Sequence, residues 1–504
     1  MSSGQIPYTG RAGGRGRLWL LLALTIVAGY VAVVLLTAHT KRPWCDETWL
    51  ASPAYNLLHH GHMGTSFIET VPYWKDMHRY TYWEPPLHFL AQAAWYRLAG
   101  FGLFSLRALS LVWGLVALAA WYTIVRILSG SRGGALLAVA LIGFDYYAVF
   151  SAADGRMDMM AAALHAAGLA TYLGLRQKQF GWAVLASHSF IVASGLTHPN
   201  GIMAFASLVC LMLFFDIRRL RWQHLLLATL PYAVGGVGYA WYIAQNPAAF
   251  VEQFGNNFLQ GSNSSLWEGI RNEIVQRYGY AAGFAPGAPL VGKIKLLILA
   301  GYVVGVVGVA FIAGRPAYRH YWSIWIVTLV NALMMALLIS NKHGYYLVYI
   351  TPFYAALLAL AIHWCWTHRA LPRVLPGVAV GGLLLVNLAG SAHRIAQNPY
   401  ANSYLPVVAF LEQQTDATDA KTVLMGTSDV AFRLGFETDI VDDQVLGYYT
   451  GTCPDLIVMD DWCYTAFYEQ LALLRPDIYE YTRNLLEEFD LVYENEVYRV
   501  YRRK

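Results

Sequence analysis

Residues 18–37 read LWLLLALTIVAGYVAVVLLT, and residues 41–49, close behind them, read KRPWCDETW. The first stretch carries no charge and matches the roughly 20 apolar residues that cross a bilayer core as a helix. Arg11, Arg15 and Arg17 precede it. Cytoplasmic flanks of membrane spans are enriched in Lys and Arg, so the N-terminus is read as cytoplasmic. Lys41-Arg42-Pro43-Trp44 follows without a small-residue cleavage site, so the segment reads as a retained first helix and not a removed signal. The second stretch, with Asp46 and Glu47 between tryptophans, therefore emerges at the opposite face.

Working outward, ten more apolar runs recur at Ser105–Ile127, Gly134–Phe150, Met157–Leu175, Trp182–Leu196, Ile202–Phe215, His224–Ile243, Ile294–Ala313, Trp322–Ser340, Tyr345–Trp364 and Val374–Ala389. The fold class this predicts is an α-helical polytopic membrane protein with about 11 transmembrane helices. Arg126 and Arg132, Arg176 and Lys178, Arg218, Arg219 and Arg221, Arg315 and Arg319, and Arg369 and Arg373 fall on alternate loops, which are read as cytoplasmic. An odd number of spans puts the C-terminal region outside.

The composition agrees. Of 504 residues, 57% are hydrophobic and only 13% charged. Soluble domains carry about 25% charged residues. Lipid-facing surface accounts for the deficit, because ionised groups are expensive there. The 17 Trp and 34 Tyr suit the lipid–water boundary. A net charge of +4 gives no electrostatic footprint for nucleic acid.

Three segments stand outside the spans. A long first outer loop, 39–104, contains an amphipathic piece at Leu87–Leu98, too short to span and suited to the interface. A second outer segment, Gln245–Gly292, has an amphipathic stretch at Trp267–Tyr278. The tail, 391–504, turns soluble in composition. Thr422–Met425 and Leu456–Met459 read as buried strands, Tyr464–Leu474 and Ile478–Phe489 as helices, and Leu491–Tyr493 with Val497–Tyr501 as a terminal strand pair. The domains expected are a cytoplasmic tail (1–17), a membrane domain (18–390) and a small extracytoplasmic α/β domain (391–504). Cys453 and Cys463, both in the tail, either pair in an oxidising compartment or stay free.

Ionisable residues crowd the outer face. Asp46 and Glu47 suit a general base with a hydrogen-bonding or metal-binding neighbour, or a solvated helix start stabilised by its dipole. Glu84, in Tyr82-Trp83-Glu84-Pro85-Pro86-Leu87-His88, stands at a helix entrance, since Pro suits the first turn. Asp154 and Asp158 flank Arg156 and share a face if the segment is helical. Asp158 lies at the start of a span, where a charge is usually functional, though a simple ion pair with Arg156 also accounts for it. His198 lies in a polar turn, Thr197-His198-Pro199-Asn200-Gly201, and reads as a phosphate or metal ligand or as part of the turn alone. Lys342 is the lone cation on its outer turn, beside His343, Tyr345 and Tyr346. It suits an anionic lipid phosphate, or it snorkels to headgroups.

An Asp-Glu at the opening of a long first outer loop, a Glu-Pro-Pro-Leu element, an Arg-x-Asp at the top of the fourth span and Lys342-His343-Gly344-Tyr345-Tyr346-Leu347 together resemble the C-type membrane glycosyltransferases. Within these the chain is similar to the group containing protein O-mannosyltransferases and the lipid A aminoarabinose transferases. The resemblance covers about residues 15–390. It implies a polyprenyl-phosphate-linked sugar as donor, an acceptor hydroxyl on protein, lipid or glycan, and inversion at the anomeric carbon. It implies Asp46 as the base with Glu47 supporting it, Asp158 and Arg156 shaping the cavity, and Lys342, His343 and Tyr345 holding the donor phosphate. Glu84 would sit in that cavity and is the candidate ligand for a divalent metal ion. In one departure, Pro85 follows Glu84 directly, where the aminoarabinose transferases place Lys. Charge neutralisation then falls to Lys342, Arg156 or a metal.

Two other classes compete with a transferase. A lipid-linked-sugar transporter or flippase should show paired inverted halves with matched broken helices; the ionisable residues instead crowd one face. A non-catalytic membrane assembly protein would use its tail to bind a partner.

Overall fold

A computed structural model describes residues 15–68, 74–259, 265–282, 290–339, 342–416, 423–437 and 439–504. Parts of both outer segments and Thr422 lie outside these. The membrane-domain helices are α1 (Arg15–Thr40), α2 (Cys45–His59), α3 (Leu87–Ala99), α4 (Leu103–Ser129), α5 (Arg132–Gly143), α6 (Tyr146–Ala152), α7 (Asp158–Leu175), α8 (Phe180–Thr197), α9 (Ile202–Asp216) and α10 (Trp222–Ile243). They continue as α11 (Pro247–Leu259), α12 (Leu266–Asn272), α13 (Gly279–Ala282), α14 (Leu296–Ala313), α15 (Tyr321–Leu337), α16 (Thr351–His368) and α17 (Val374–Gln397).

Each of the eleven apolar runs falls mainly on helix. Among the described residues, six helices are long and apolar enough to cross a membrane, or seven if the bent pair α5–α6 is one span. α7 is 18 residues long but includes Asp158 and His165, and α15 reaches only 17 residues. Two runs need correction: Gly134–Phe150 is split between α5 and α6 at a 68° bend. Tyr345–Trp364 is not one helix: Gly344–Tyr349 forms a 3-10 turn and α16 starts only at Thr351, with Pro352 in its first turn. Proline tolerates that position and disfavours helix in the residue before it.

α1 shows why the spans stand where they do. Leu18, Leu20, Leu21 and Leu24 are exposed, as lipid-facing residues should be, while Tyr30, Val34 and Ala38 form a buried stripe at helical spacing. Tyr30 reaches the cleft left by Gly114, where an added Cβ would stand 2.1 Å from its hydroxyl. Likewise a Cβ on Gly305 of α14 would meet the Leu358 backbone of α16 at 2.7 Å. Small residues let membrane helices approach closely, and dispersion then replaces the absent hydrophobic drive. Between α5 and α6 the axis turns by 68°. Asp145 makes the break stable by accepting hydrogen bonds from the Tyr147 and Ala148 amides as the cap of α6.

The last membrane-domain helix extends into the region that composition assigned to the soluble part: α17 runs on to Gln397. Asn398, with φ of 39°, turns the chain, and α18 (Leu405–Asp416) follows a π-helical turn. A five-stranded sheet comes next, with β1 (Leu424–Gly426), β2 (Ile440–Val441), β3 (Leu456–Asp460), β4 (Phe489–Glu494) and β5 (Tyr498–Arg503) in the order β2-β1-β3-β5-β4. Strands β1, β2 and β3 are parallel, and β5 is antiparallel to β3 and β4. α19 (Ala431–Leu434) precedes β2, while α20 (Ala466–Leu474) and α21 (Pro476–Glu487) precede the terminal hairpin. Phe489, expected at a helix end, belongs to β4, and β2 was too short to show in the sequence. Gly426 carries φ of 132° and a Cβ there would lie 1.9 Å from the Val458 carbonyl oxygen, so only glycine fits.

What matters for function is how this sheet is seated. Ala51, Ala54, Phe67, Ala93 and Tyr96 from the first outer loop form one apolar core with Val407, Leu424, Val458 and Val500 of the tail. Beside it, Arg42 donates to Asp429 (3.3 Å), Asp460 (3.1 Å), Asp461 (2.7 Å) and the Tyr498 hydroxyl (3.3 Å). The tail thus clamps the exit of α1 and the start of α2. Cys463 lies in the apolar cluster that also holds Cys45, and all five cysteines are free thiols, Cys453 being exposed.

Candidate active site

Asp46 and Glu47 occupy the first turn of α2. Neighbours on a helix diverge by about 100°, so the two carboxylates part company. Glu47 turns inward to Arg107 of α4, accepting from Nε at 2.8 Å and Nη2 at 2.6 Å, and also accepts the Gly155 amide at 2.9 Å. Arg107 spends its other donors on the carbonyls of Ala38 (2.5 Å), Lys41 (2.9 Å) and Arg42 (3.1 Å). Both side chains are fully buried. Glu47 therefore supports Asp46 through the fold and not by direct contact.

Asp46 turns the other way, to Arg156. Arg156 Nη1 is paired with Asp46, and its Nε with Asp158 at 2.8 Å. The guanidinium lies 4.1 Å from the Tyr345 ring centre. Asp158 also accepts the Tyr349 hydroxyl at 3.2 Å. Asp154 and Asp158 do not share a helix face, because α7 begins only at Asp158. Asp154 instead meets Lys41 at 2.8 Å and the Trp44 indole at 3.2 Å. The short turn 153–157 can lie this close because Gly155 has no side chain; a Cβ there would lie 2.3 Å from Leu106.

Glu84 and His198 complete the cluster. His198 Nε2 is 3.8 Å from Glu84 Oε1 and 3.9 Å from Asp158 Oδ1. His198 Nε2 and Glu84 Oε2 have no hydrogen-bond partner among the described residues, although both are buried. Buried polar atoms without a protein partner are rare and call for one from outside the protein, a water or a ligand. Asn200 donates its amide to His198 Nδ1 at 3.0 Å, which fixes the ring. Signals for His198 in the sequence were limited to a polar turn.

Electrostatics follows from burial. The Asp46 carboxyl is pushed up to about 6 by burial, with Arg156 pulling it down and Asp154 and Asp158 pushing it up. Burial raises the Glu84 carboxyl well above the usual range against the opposing pull of Arg156. Burial lowers His198 to about 4. Asp46 keeps 18% side-chain exposure against 3% for Asp158, so it is the carboxylate an incoming group can reach.

Lys342 departs from expectation. Its ammonium donates to the carbonyls of Met335 (3.0 Å), Ala336 (2.9 Å) and Ile339 (2.6 Å) and pairs with Glu273 at 3.1 Å. Glu273 also binds Arg277 at 2.8 Å. A cation near a helix end satisfies the last carbonyls, so Lys342 closes α15 instead of standing open to a phosphate. The turn still reaches the cluster, through its tyrosines. Tyr345 stacks on His343 with ring centres 5.0 Å apart, and Tyr346 lies 5.6 Å from the His198 ring. The His343 carbonyl accepts from Arg277.

Glu84 as a metal ligand fits poorly. Among the described residues no three His, Cys, Asp or Glu side chains converge to hold an ion. Arg156 already bridges Asp46 and Asp158, leaving Glu84 and His198 as a pair.

Residues 83–241, which contain Glu84, Arg107, Arg156, Asp158 and His198, match the family described as dolichyl-phosphate-mannose-protein mannosyltransferase. No curated protein matches the sequence. Among solved structures, ArnT from Cupriavidus metallidurans bound to undecaprenyl phosphate is similar with a TM-score of 0.58 at 15% identity, covering 97% of this chain and 98% of that one. The oligosaccharyltransferase AglB from Archaeoglobus fulgidus, in complex with an inhibitory peptide and a dolichol-phosphate, is similar with a TM-score of 0.54 at 14% identity, covering 95% of this chain and 73% of that one. The family match thus falls on the centre of the acidic cluster, and over nearly its whole length the chain shares the fold of these two membrane glycosyltransferases.

Proposed function

We propose that the protein moves a sugar from a polyprenyl-phosphate-linked donor to an acceptor hydroxyl at the non-cytoplasmic surface, with inversion. The observation that carries this reading is the half-open Asp46 held on Arg156, beside the buried Asp158, Glu84 and His198. The Lys and Arg bias of the alternate loops supports the outer location. Undecaprenyl phosphate in the similar ArnT structure and dolichol-phosphate in AglB support the donor class.

Asp46 takes the acceptor proton as the acceptor oxygen bonds to the anomeric carbon. The bond from that carbon to the phosphate oxygen breaks, and its electron pair leaves with the polyprenyl phosphate. Arg156 stabilises the charge developing there, in a site poor in water where such an interaction is strongest. A phosphate that draws Arg156 toward itself also loosens Asp46 and raises its basicity. Burial favours the neutral forms of both Glu84 and His198, so neither is inclined to add charge that would repel phosphate.

The test is release of polyprenyl phosphate, with appearance of glycosylated acceptor, by purified protein given a lipid-linked sugar. A transporter or an assembly protein leaves the donor intact. In the same assay the pH profile reports Asp46. The base works only when ionised, so kcat/KM is expected to rise with pH, level off above about 6, and fall away below it. Arg156→Gln removes the group that pulls the carboxyl down, so the midpoint should move upward. A flat profile between pH 5 and 8 (about the range that decides it) counts against Asp46 as base. Chelation with EDTA is expected to leave the rate within about twofold, because Arg156 takes the charge-neutralising role. A collapse that added Mg²⁺ or Mn²⁺ reverses contradicts that assignment.

A further inference from the structure

On the other side of α6 the structure holds a second charged arrangement. Tyr146 and Phe150 are four residues apart and share one face of this helix. Cations alternate with the rings. Lys295 Nζ lies 4.7 Å from the Tyr146 ring centre. The Arg394 guanidinium lies 4.7 Å from Tyr146 and 4.7 Å from Phe150. Lys41 follows at 4.6 Å from Phe150 and 5.5 Å from Trp44, and Arg156 at 5.6 Å from Trp44.

Lys41 and Arg156 have carboxylate partners. Lys295 and Arg394 have none among the described residues, and they converge on one ring. Asp145, next to Tyr146 in sequence, is buried and spends its oxygens on the Tyr302 hydroxyl, the Thr351 hydroxyl and two amides of α6. Tyr147, Tyr278, Leu299, Tyr302 and Leu347 line a half-open, largely apolar pocket beside Lys295. Snorkelling explains one cation reaching for headgroups. Two like charges drawn to the same tyrosine at the mouth of an apolar pocket, without a counter-ion, call for an anion with an apolar tail.

We propose that Lys295 and Arg394 bind the phosphate of a membrane lipid against Tyr146, with its chain lying along the exposed apolar flanks of α14 and α17. Val304 and Phe311 on α14, and Val378 and Leu385 on α17, supply those flanks. The alternating row from Tyr146 to Arg156 would then guide a carrier phosphate between this site and the acidic cluster. That second role rests on the transferase reading; the binding site does not.

Native mass spectrometry of the detergent-purified full chain tests it. The probes are phosphatidylglycerol, a polyprenyl phosphate, phosphatidylcholine and inorganic phosphate. Both anionic lipids are expected to bind more tightly than phosphatidylcholine. Lys295→Gln or Arg394→Gln should weaken phosphatidylglycerol by about fivefold each, and the pair by roughly 25-fold. The charge-keeping pair Lys295→Arg with Arg394→Lys should retain it, which separates lost charge from lost fold. A polyprenyl phosphate preferred over phosphatidylglycerol identifies a carrier site; equal binding identifies a general anionic-lipid site. Unchanged phosphatidylglycerol affinity in the double Gln variant overturns the proposal, as does inorganic phosphate binding as tightly as the lipids. Arg156→Gln should slow transfer sharply yet leave phosphatidylglycerol binding intact, so failure of the transferase reading stays distinguishable.

Discussion

Asp46→Asn is expected to lower the rate of sugar transfer by about 10³-fold, within the range that positioned general bases contribute, while the protein still folds and binds donor. Asn matches the shape of Asp and accepts from Arg156 through its amide oxygen, so the cluster keeps its packing. What disappears is the ability to take a proton. Donor binding should therefore change far less than turnover, giving a loss in kcat with a modest change in KM. Asp158→Asn is expected to differ, because Asp158 is nearly sealed and holds Arg156 and Tyr349. Its loss should misplace Arg156 and raise KM as well. Glu84→Gln is the informative control. Burial favours the neutral form of Glu84, so a neutral amide should be tolerated within about one order of magnitude, the low end of acid–base contributions. If Asp46→Asn kept more than a tenth of the activity while Glu84→Gln removed it, Glu84 would be the base and Asp46 a positioning group for Arg156.

The second large effect concerns stability. Glu47→Gln or Arg107→Met, each alone, is expected to destabilise the fold by about 3–5 kcal/mol, because either change leaves an uncompensated charge in a dry interior. That is a large part of the roughly 5–15 kcal/mol that separates folded from unfolded domains. Arg107→Met should be the worse of the two. It strands Glu47 and also removes the donors of the Ala38, Lys41 and Arg42 carbonyls, which close the end of α1. The double variant should recover part of the loss, since removing both charges ends the mismatch. Thermal unfolding in detergent, followed by tryptophan fluorescence, reads this order directly. Single variants melting together with the parent protein would show that the pair adds nothing to the fold. Transfer activity should fall in proportion to folded protein for Glu47→Gln, in contrast to Asp46→Asn, where folded protein remains and turnover is lost.

These contrasts bear on what an Asp-Glu pair means in a sequence. Adjacent residues look like partners when read as text. On a helix they point in different directions, and here one faces the acidic cluster while the other holds the helix that presents it. Lys342 teaches the same lesson. As the lone cation of its turn it looked available for phosphate, but Glu273 lies in a distant outer segment that nothing local connects to it. The cation that faces the cluster, Arg156, was legible as a candidate only because it sits between two aspartates.

The sequence by itself made the apolar helices legible, since the length and apolarity of each run answer to the thickness and dryness of the bilayer and need no tertiary contact, while the expected eleven spans compare with six or seven described helices that are long and apolar enough. It also placed carboxylates at the ends of the first, third and fourth spans on one face, because alternating spans carry those segments to the same side. Only the tertiary structure decided the pairings: Glu47 with Arg107, Asp154 with Lys41, Asp46 and Asp158 with Arg156, Lys342 with Glu273. Hydrophobic spacing repeats locally and survives in a single sequence, whereas an ion pair depends on the rotation and depth of helices packed from far along the chain. The same reason hid the seating of the tail sheet on α2 and the row of cations and rings beside α6.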